Sequence, residues 1–206
     1  KEPLLNKNQK NHIYSLIKII EDAILKNYKS ITIIEYDILF HKNINNLIKK
    51  YFNLIKNNDI IYLGSSQRFW INPIDNSHID YKHNNYYKAN HSMGTFGIIL
   101  KENIYDLYIN LLKQFILPSD VCLSILSKYT KSFVCYPNLV ICDISKSNIK
   151  HDRNINLTFQ RFKWKIEDYK ISLLNQFYDR IYVINLEKDK IKRKNILEQF
   201  NKYNII

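Results

Sequence analysis

The first sixty residues alternate between two hydrophobic periodicities, and this alternation constrains the fold more than any other feature of the chain. Apolar residues recur at helical spacing over 13–25, and an apolar run at 31–35 predicts a strand directly after them. A second helical pattern covers about 43–56, with Asn43 as a candidate cap, and a short apolar run at 59–64 ends in glycine. Alternating helices and strands are typical of an α/β domain, in which helices flank a sheet.

The rest of the chain continues this pattern after an irregular stretch. Residues 65–93 are polar and aromatic and contain turn signals, so we expect a long loop or an irregular hairpin there. After this stretch the predicted elements are a strand at 94–100, helices at 102–115 and 119–129, strands at 132–136 and 139–143, a polar link at 145–156, an amphipathic helix at 157–177, a strand at 180–186 and a lysine-rich helix after it. Ser119 is a plausible cap for the helix at 119–129, which contains Asp120.

Two carboxylates, Glu35 and Asp37, stand at the end of the strand predicted at 31–35. Residues i and i+2 of a strand point to the same side, and open α/β sheets bind their ligands at the carboxyl edge. Carboxylate oxygens are the ligands that Mg²⁺ and Mn²⁺ prefer, often together with substrate phosphates. Spacing alone leaves two interpretations open: a metal or donor site, and a structural acid that caps the next helix or binds a backbone amide.

Other residues that could carry chemistry give weaker signals. Asp120 opens a helix, where an acid usually stabilises the first turn, and it is also a candidate general base or acceptor-aligning group. The histidines at 78, 83 and 91 have no i, i+4 spacing, which favours surface residues over metal ligands. The sequence contains no G-x-x-x-x-G-K-[ST], G-x-G-x-x-G or G-x-S-x-G, so it predicts no phosphate loop, dinucleotide site or nucleophile elbow.

Charge and cysteine content narrow the function classes. The formal net charge is +12, but the lysines are scattered over most predicted helices, which favours a solvated surface over a specific nucleic-acid site. The three cysteines have no C-x-x-C spacing, so we expect neither a disulfide framework nor a zinc site, and a reducing, cytoplasmic location. No apolar stretch approaches the roughly 20 residues of a membrane span, and residues 1–10 do not form a signal peptide.

Five motifs follow one another in a fixed order over about residues 11–153. They are Ile-Ile-Glu-Tyr-Asp-Ile-Leu-Phe-His-Lys, Ile-Ile-Tyr-Leu-Gly-Ser-Ser-Gln, Gly-Thr-Phe-Gly-Ile-Ile-Leu, Pro-Ser-Asp-Val and Tyr-Pro-Asn-Leu-Val-Ile-Cys-Asp-Ile-Ser-Lys-Ser-Asn-Ile. This order resembles glycosyltransferase family 25, which includes lipopolysaccharide and collagen galactosyltransferases and glycosyltransferases of giant viruses. The Ile-, Asn- and Lys-rich composition is most similar to the viral members, which would place the chain in a viral factory or with the virion.

The resemblance implies a GT-A-like (Rossmann-like) mixed sheet flanked by helices. It also implies transfer of galactose or glucose from a UDP-sugar to a glycan or a hydroxylysine-type protein acceptor, with Mn²⁺ or Mg²⁺ held by three consecutive acids. Glu35 and Asp37 match the outer two acids, and Tyr36 replaces the middle one. Asp120 matches the family's acid after proline, a candidate for acceptor alignment or general base. The donor-site candidates are Gln67, Asp143, Ser145, Asn185 and Arg193.

A domain of this family begins with a strand and a basic helix like those near the end of this chain. We therefore expect a family 25-like domain at 1–153, a helical connector at 154–178 and a displaced strand-helix unit at 179–206. Either this unit begins a second, tandem domain, or its strand at 181–186 completes the first sheet, from the far end of this chain or from another molecule in an oligomer. Where that strand lies relative to Glu35 decides between the two.

The sequence thus leaves three functions open. The ordered motifs favour an active, metal-dependent glycosyltransferase. The residue Tyr36 and the displaced strand favour a degenerate, non-catalytic member that acts as a structural or glycan-binding module. The net charge alone favours a basic nucleic-acid-binding module, whose affinity would fall steeply with salt.

Overall fold

The computed structural model describes residues 5–71, 79, 85–142, 154–169, 181–184 and 190–202. These residues form helices and strands that alternate along the chain. In chain order they are α1 (Lys7–Leu25), β1 (Ser30–Glu35), β2 (Ile38–Phe40), α2 (Ile44–Asn57), β3 (Ile60–Tyr62), β4 (Tyr86–Lys88), β5 (Gly97–Lys101), α3 (Glu102–Leu112), α4 (Ser119–Ser127), β6 (Ser132–Cys135), β7 (Val140–Cys142), α5 (Ile155–Phe162), a 3₁₀ turn (Ile166–Asp168), β8 (Ile181–Ile184) and α6 (Lys190–Lys202).

A six-stranded mixed sheet with the strand order β4-β6-β3-β5-β1-β8 forms the centre of the fold. β1, β3, β6 and β8 run in one direction, and β4 and β5 run in the other. β2 and β7 form a separate antiparallel ribbon. The predicted α/β class, with a mixed sheet flanked by helices, is therefore confirmed.

Both faces of the central strands β1, β3 and β5 are buried, which explains why these strands are continuous apolar runs. Along β1, Ile31 and Ile33 belong to a core shared with α1, α3 and α4, whereas Ile34 belongs to a second core shared with α2 and the β2–β7 ribbon. The ribbon approaches the chain that leaves β3 very closely, because a Cβ on Gly64 would lie 1.8 Å from the carbonyl oxygen of Val140.

The strand that the sequence places near the end of the chain lies beside β1 in this sheet. β8 pairs with β1 in parallel, with Thr32 opposite Ile181 and Glu35 opposite Ile184. The carboxyl ends of β1 and β8 therefore meet at one edge of the sheet, where ligands of open α/β sheets bind.

The single long helix predicted at 157–177 is wrong over 163–169. α5 ends at Phe162, because Lys163 adopts a left-handed conformation with φ of 55° and closes the helix. Trp164 then turns inward and is only 5% exposed, and the 3₁₀ turn follows. Burying a large indole ring outweighs one further helical turn of an exposed segment. Residues 170–177 lie outside the described part.

Two predicted helix caps differ in detail from the structure. Asn43 does occupy the N-cap of α2, but its side chain makes no capping hydrogen bond there. Pro118, not Ser119, is the N-cap of α4. The hydroxyl of Ser119 instead forms a hydrogen bond with the imidazole of His12 on α1, at 2.9 Å. The contact between helices thus uses the side chain that the sequence assigned to capping.

Two of the cysteines have the apolar surroundings that the sequence predicts for them. Cys122 and Cys135 are buried in the two cores, as expected for small apolar residues. Within the described ranges, no helix is both long and apolar enough to cross a membrane.

Candidate active site

Glu35 lies at the carboxyl edge of the sheet, where three segments meet. It is the last residue of β1, and its backbone amide donates to the carbonyl of Phe96, which precedes β5. The next two residues form the turn into β2, so Tyr36 and Asp37 stand at the same edge. Strand β8 ends level with Glu35 on the other side.

The Glu35 carboxylate is held by two side chains from different parts of the fold. Thr95 Oγ1 donates a hydrogen bond of 2.7 Å to Glu35 Oε1. His12 Nε2 lies 3.2 Å from the same oxygen, an ion-pair distance without the alignment of a hydrogen bond. On its other side, His12 Nδ1 shares a 2.9 Å hydrogen bond with Ser119 Oγ at the start of α4. The imidazole therefore bridges α4 and β1.

The environment of His12 favours its charged form. Burial alone would lower the pKa of His12, but the nearby carboxylates of Glu35, Asp120 and Asp37 outweigh it, and the pKa lies above its ordinary value. Burial would likewise raise the pKa of Glu35, yet the contacts from His12 and Thr95 leave it lower than usual. An imidazolium facing a carboxylate is thus the stable state of this pair.

Asp120 is the third acid of this group, and it was predicted from a separate motif. It lies in the first turn of α4, where its Oδ1 accepts a 2.9 Å hydrogen bond from the Val121 amide. Burial raises the pKa of Asp120, the Val121 hydrogen bond lowers it, and the charge of Glu35 raises it further, so that it lies above the ordinary value. A carboxylate with a raised pKa is a better proton acceptor near neutral pH.

Tyr36 contacts the last helix. Lys192 on α6 donates a 2.6 Å hydrogen bond to the Tyr36 hydroxyl, and its Nζ lies 4.8 Å from the centre of the ring. The position that resembles the middle acid of the motif is therefore tied to a cation. This contact also fixes α6, the helix that follows β8, against the acidic turn.

The other predicted donor-site residues lie in different settings. Gln67 has no exposed surface: its amide nitrogen donates to the carbonyls of Phe69 and Asn90, and its oxygen accepts from Ser92. It thereby ties two parts of a loop together, and any effect on a donor would act through the shape of that loop. Arg193 is exposed on α6, next to the lysine that contacts Tyr36. Asp143, Ser145 and Asn185 lie outside the described residues.

Four site residues were not found from the sequence: His12, Thr95, Ser119 as a ligand of His12, and Lys192. Thr95 and Ser119 lie within two of the ordered motifs, but the sequence assigned neither of them to the site, and His12 and Lys192 lie in no motif. Thr95 and His12 reach Glu35, Lys192 reaches Tyr36, and Ser119 acts on Glu35 only through His12. The sequence provided only an indirect indication, because each of the helices α1, α4 and α6 directly precedes or follows a strand of the sheet along the chain.

The chemistry of the two predicted metal ligands fits a metal that binds together with substrate phosphates. Glu35 and Asp37 supply hard oxygen atoms at one edge, and Mg²⁺ is commonly held by one or two carboxylates plus phosphate oxygens. In the described part of the chain, no three His, Cys, Asp or Glu side chains are arranged to hold a metal by themselves. One oxygen of Glu35 is already engaged by His12 and Thr95.

Comparison with known proteins adds no identification to this geometry. No protein-family model and no curated protein matches the chain.

Proposed function

We propose that the chain is a hexosyltransferase with a GT-A-like fold, which moves galactose or glucose from a UDP-sugar to a glycan or protein acceptor. The observation that carries the proposal is the position of β8, parallel to β1 and level with Glu35. In the family that the motifs resemble, a strand forms part of the nucleotide pocket, and β8 supports the proposal because it lies beside the strand that carries Glu35.

The acids of the site have separate roles in this proposal. Asp37 and the second oxygen of Glu35 would hold Mn²⁺ or Mg²⁺, which neutralises charge on the leaving diphosphate when it is bound. His12 and Thr95 keep Glu35 ionised and fix its orientation. Asp120, whose pKa is raised, aligns the acceptor hydroxyl and takes its proton as the new glycosidic bond forms and UDP leaves.

A non-catalytic module that binds a glycan or has a structural role is the second candidate. Two contacts favour it: Lys192 donates a hydrogen bond to Tyr36, and His12 already neutralises the negative charge of Glu35. Both supply positive charge to an acidic motif that would otherwise attract a metal. This candidate retains the fold but loses the transfer step.

The direct test is release of UDP from UDP-galactose and UDP-glucose with Mn²⁺, alongside calorimetric binding of UDP. We expect Asp37→Asn to lower UDP release by about 100-fold, the usual effect of removing a group that stabilises developing charge. Asp106→Asn, at an exposed position on α3, is the matched control and should leave the rate unchanged. UDP binding without turnover would favour the non-catalytic module, and absence of both would refute the nucleotide-sugar proposal.

A further inference from the structure

A groove of about 660 Å³ lies on the same face of the sheet as the β2–β7 ribbon. Its walls combine aromatic rings, amides and lysines, among them Tyr136, Phe159, Gln160, Lys163, Trp164 and Lys165. Its volume falls within the range of about 300–1,000 Å³ that is typical of small-molecule sites.

The turn that ends α5 builds one wall of the groove. Because Lys163 is left-handed, the chain reverses and Trp164 packs against Phe162 and Phe159, with ring centres 4.9 and 6.0 Å apart. Trp164 Nε1 donates to the carbonyl of Ser65 at 3.2 Å, which anchors the indole to the chain that leaves β3. The indole is therefore held in place by both ring packing and a hydrogen bond.

Two consecutive residues, Thr95 and Phe96, connect this wall to the acidic group. The ring of Trp164 packs edge-on against Phe96, with centres 5.9 Å apart. Phe96 directly follows Thr95, which donates to Glu35. On the opposite side, Tyr136 follows β6, whose carboxyl end lies at the same edge of the sheet as that of β1. The groove and the acidic group thus share one edge.

The chemistry of the lining indicates the class of ligand. The half-buried rings of Tyr136 and Phe159 can pack against the C–H faces of sugars, with the buried indole of Trp164 supporting the wall behind them. The exposed amide of Gln160 can donate to and accept from hydroxyl groups.

Lys163 and Lys165 add two positive charges, and the lining residues within the described part of the chain include no acid. Lys163 also lies over the ring of Trp70 at 4.2 Å, which holds its charge near the groove.

We infer that this groove binds an anionic saccharide and, resting on the proposed transferase function, that this saccharide is the acceptor. The aromatic and amide groups recognise the sugar rings, and the two lysines select a carboxylate, sulfate or phosphate substituent. The groove and the acidic group lie on opposite faces of the sheet but share its carboxyl edge, so a saccharide held in the groove would reach Asp120 and the donor by extending a hydroxyl across that edge.

The test measures binding by calorimetry with no nucleotide present, so it does not depend on turnover. The probes are trigalacturonate, the neutral trisaccharide maltotriose, and tri-glutamate, a peptide with acidic side chains. We expect trigalacturonate to bind at least tenfold more tightly than either other probe. Lys163→Gln with Lys165→Gln should weaken it about tenfold. Lys18→Gln with Lys128→Gln, which removes the same charge from exposed helices on the other face, should leave it unchanged.

Each other result overturns a stated part of the inference. Equal binding of maltotriose refutes the charge selectivity, and equal binding of tri-glutamate assigns the groove to acidic peptides. Equal weakening in both double variants shows attraction to the net charge of the chain and not to the groove. Circular dichroism melting of each variant establishes that it is folded. Trigalacturonate binding without UDP binding would refute the transferase proposal alone, whereas UDP binding without trigalacturonate binding would refute the groove.

Discussion

Replacing His12 with asparagine should destabilise the fold by about 3 kcal/mol at pH 5.5. Asparagine retains a polar group near the position of Nδ1, which can still reach Ser119, but it removes the nitrogen that lies 3.2 Å from Glu35. Removing one partner of a buried ion pair costs about 3–5 kcal/mol, because the remaining charge stays desolvated. The side chains of His12 and Glu35 are 22% and 24% exposed, so the lower end of that range applies.

The effect should depend on pH in a defined direction. The folded-state pKa of His12 is above its ordinary value of 6.5, so its stabilisation is complete below 6.5 and is lost as pH rises through the folded pKa. The folded-state pKa of Glu35 is below its ordinary value of 4.5, so its stabilisation is present above 4.5 and is lost as pH falls through the folded pKa. The pair is therefore most stabilising between these two values.

A double-mutant cycle with His12→Asn and Glu35→Gln isolates the pair from its surroundings, including the opposing effect of the raised pKa of Asp120. Urea unfolding should give a coupling of about 2 kcal/mol at pH 5.5 that declines steadily towards pH 9.5. The single variant should also melt roughly 6–12 °C lower, since about 1 kcal/mol corresponds to 2–4 °C in a chain of this size. A coupling that is near zero at pH 5.5, or equal at both pH values, would refute the assignment of a charged His12.

Two further substitutions test the packing that supports the site. Tyr62→Phe should cost only about 1 kcal/mol in urea unfolding, because Ser127, which lies 2.9 Å from the Tyr62 hydroxyl, also donates to the carbonyl of Leu123 and stays satisfied; a loss above about 3 kcal/mol would contradict this. Gly64→Ala should cost about 3 kcal/mol or more, since its Cβ would lie 1.8 Å from the carbonyl oxygen of Val140, and an unchanged unfolding midpoint would contradict the close approach.

The sequence predicted those parts of the fold that depend on local pattern. The boundaries of β1 and α2 follow from apolar periodicity, and β3 follows from three consecutive apolar residues. The pattern failed after Phe162, because a left-handed lysine and the burial of Trp164 are decided by tertiary packing. Periodicity indicates which side of a helix is apolar. It does not indicate where the helix ends because an aromatic side chain is buried more completely in a non-helical conformation.

The candidate site was predictable only in its acids. Glu35, Asp37 and Asp120 were identified from short motifs, and the structure brings all three close enough to His12 to raise its pKa. His12 itself gave no signal, because its role depends on how α1 packs against α4 and β1, and a lone histidine on a helix is usually unremarkable. A charged side chain whose partners come from distant parts of the chain can be identified only from the folded structure.

The balance of charge around the acidic turn explains how the site can tolerate Tyr36. With an acid at this position, four carboxylates would surround one imidazolium, and like charges in so small a volume repel unless a cation joins them. Tyr36 removes one negative charge and binds Lys192 instead, which adds a positive one. Less negative charge therefore remains in this turn for a divalent metal to neutralise than in a motif of three acids. We expect a metal to bind here chiefly with a donor diphosphate, whose oxygens supply both the missing charge and the missing ligands.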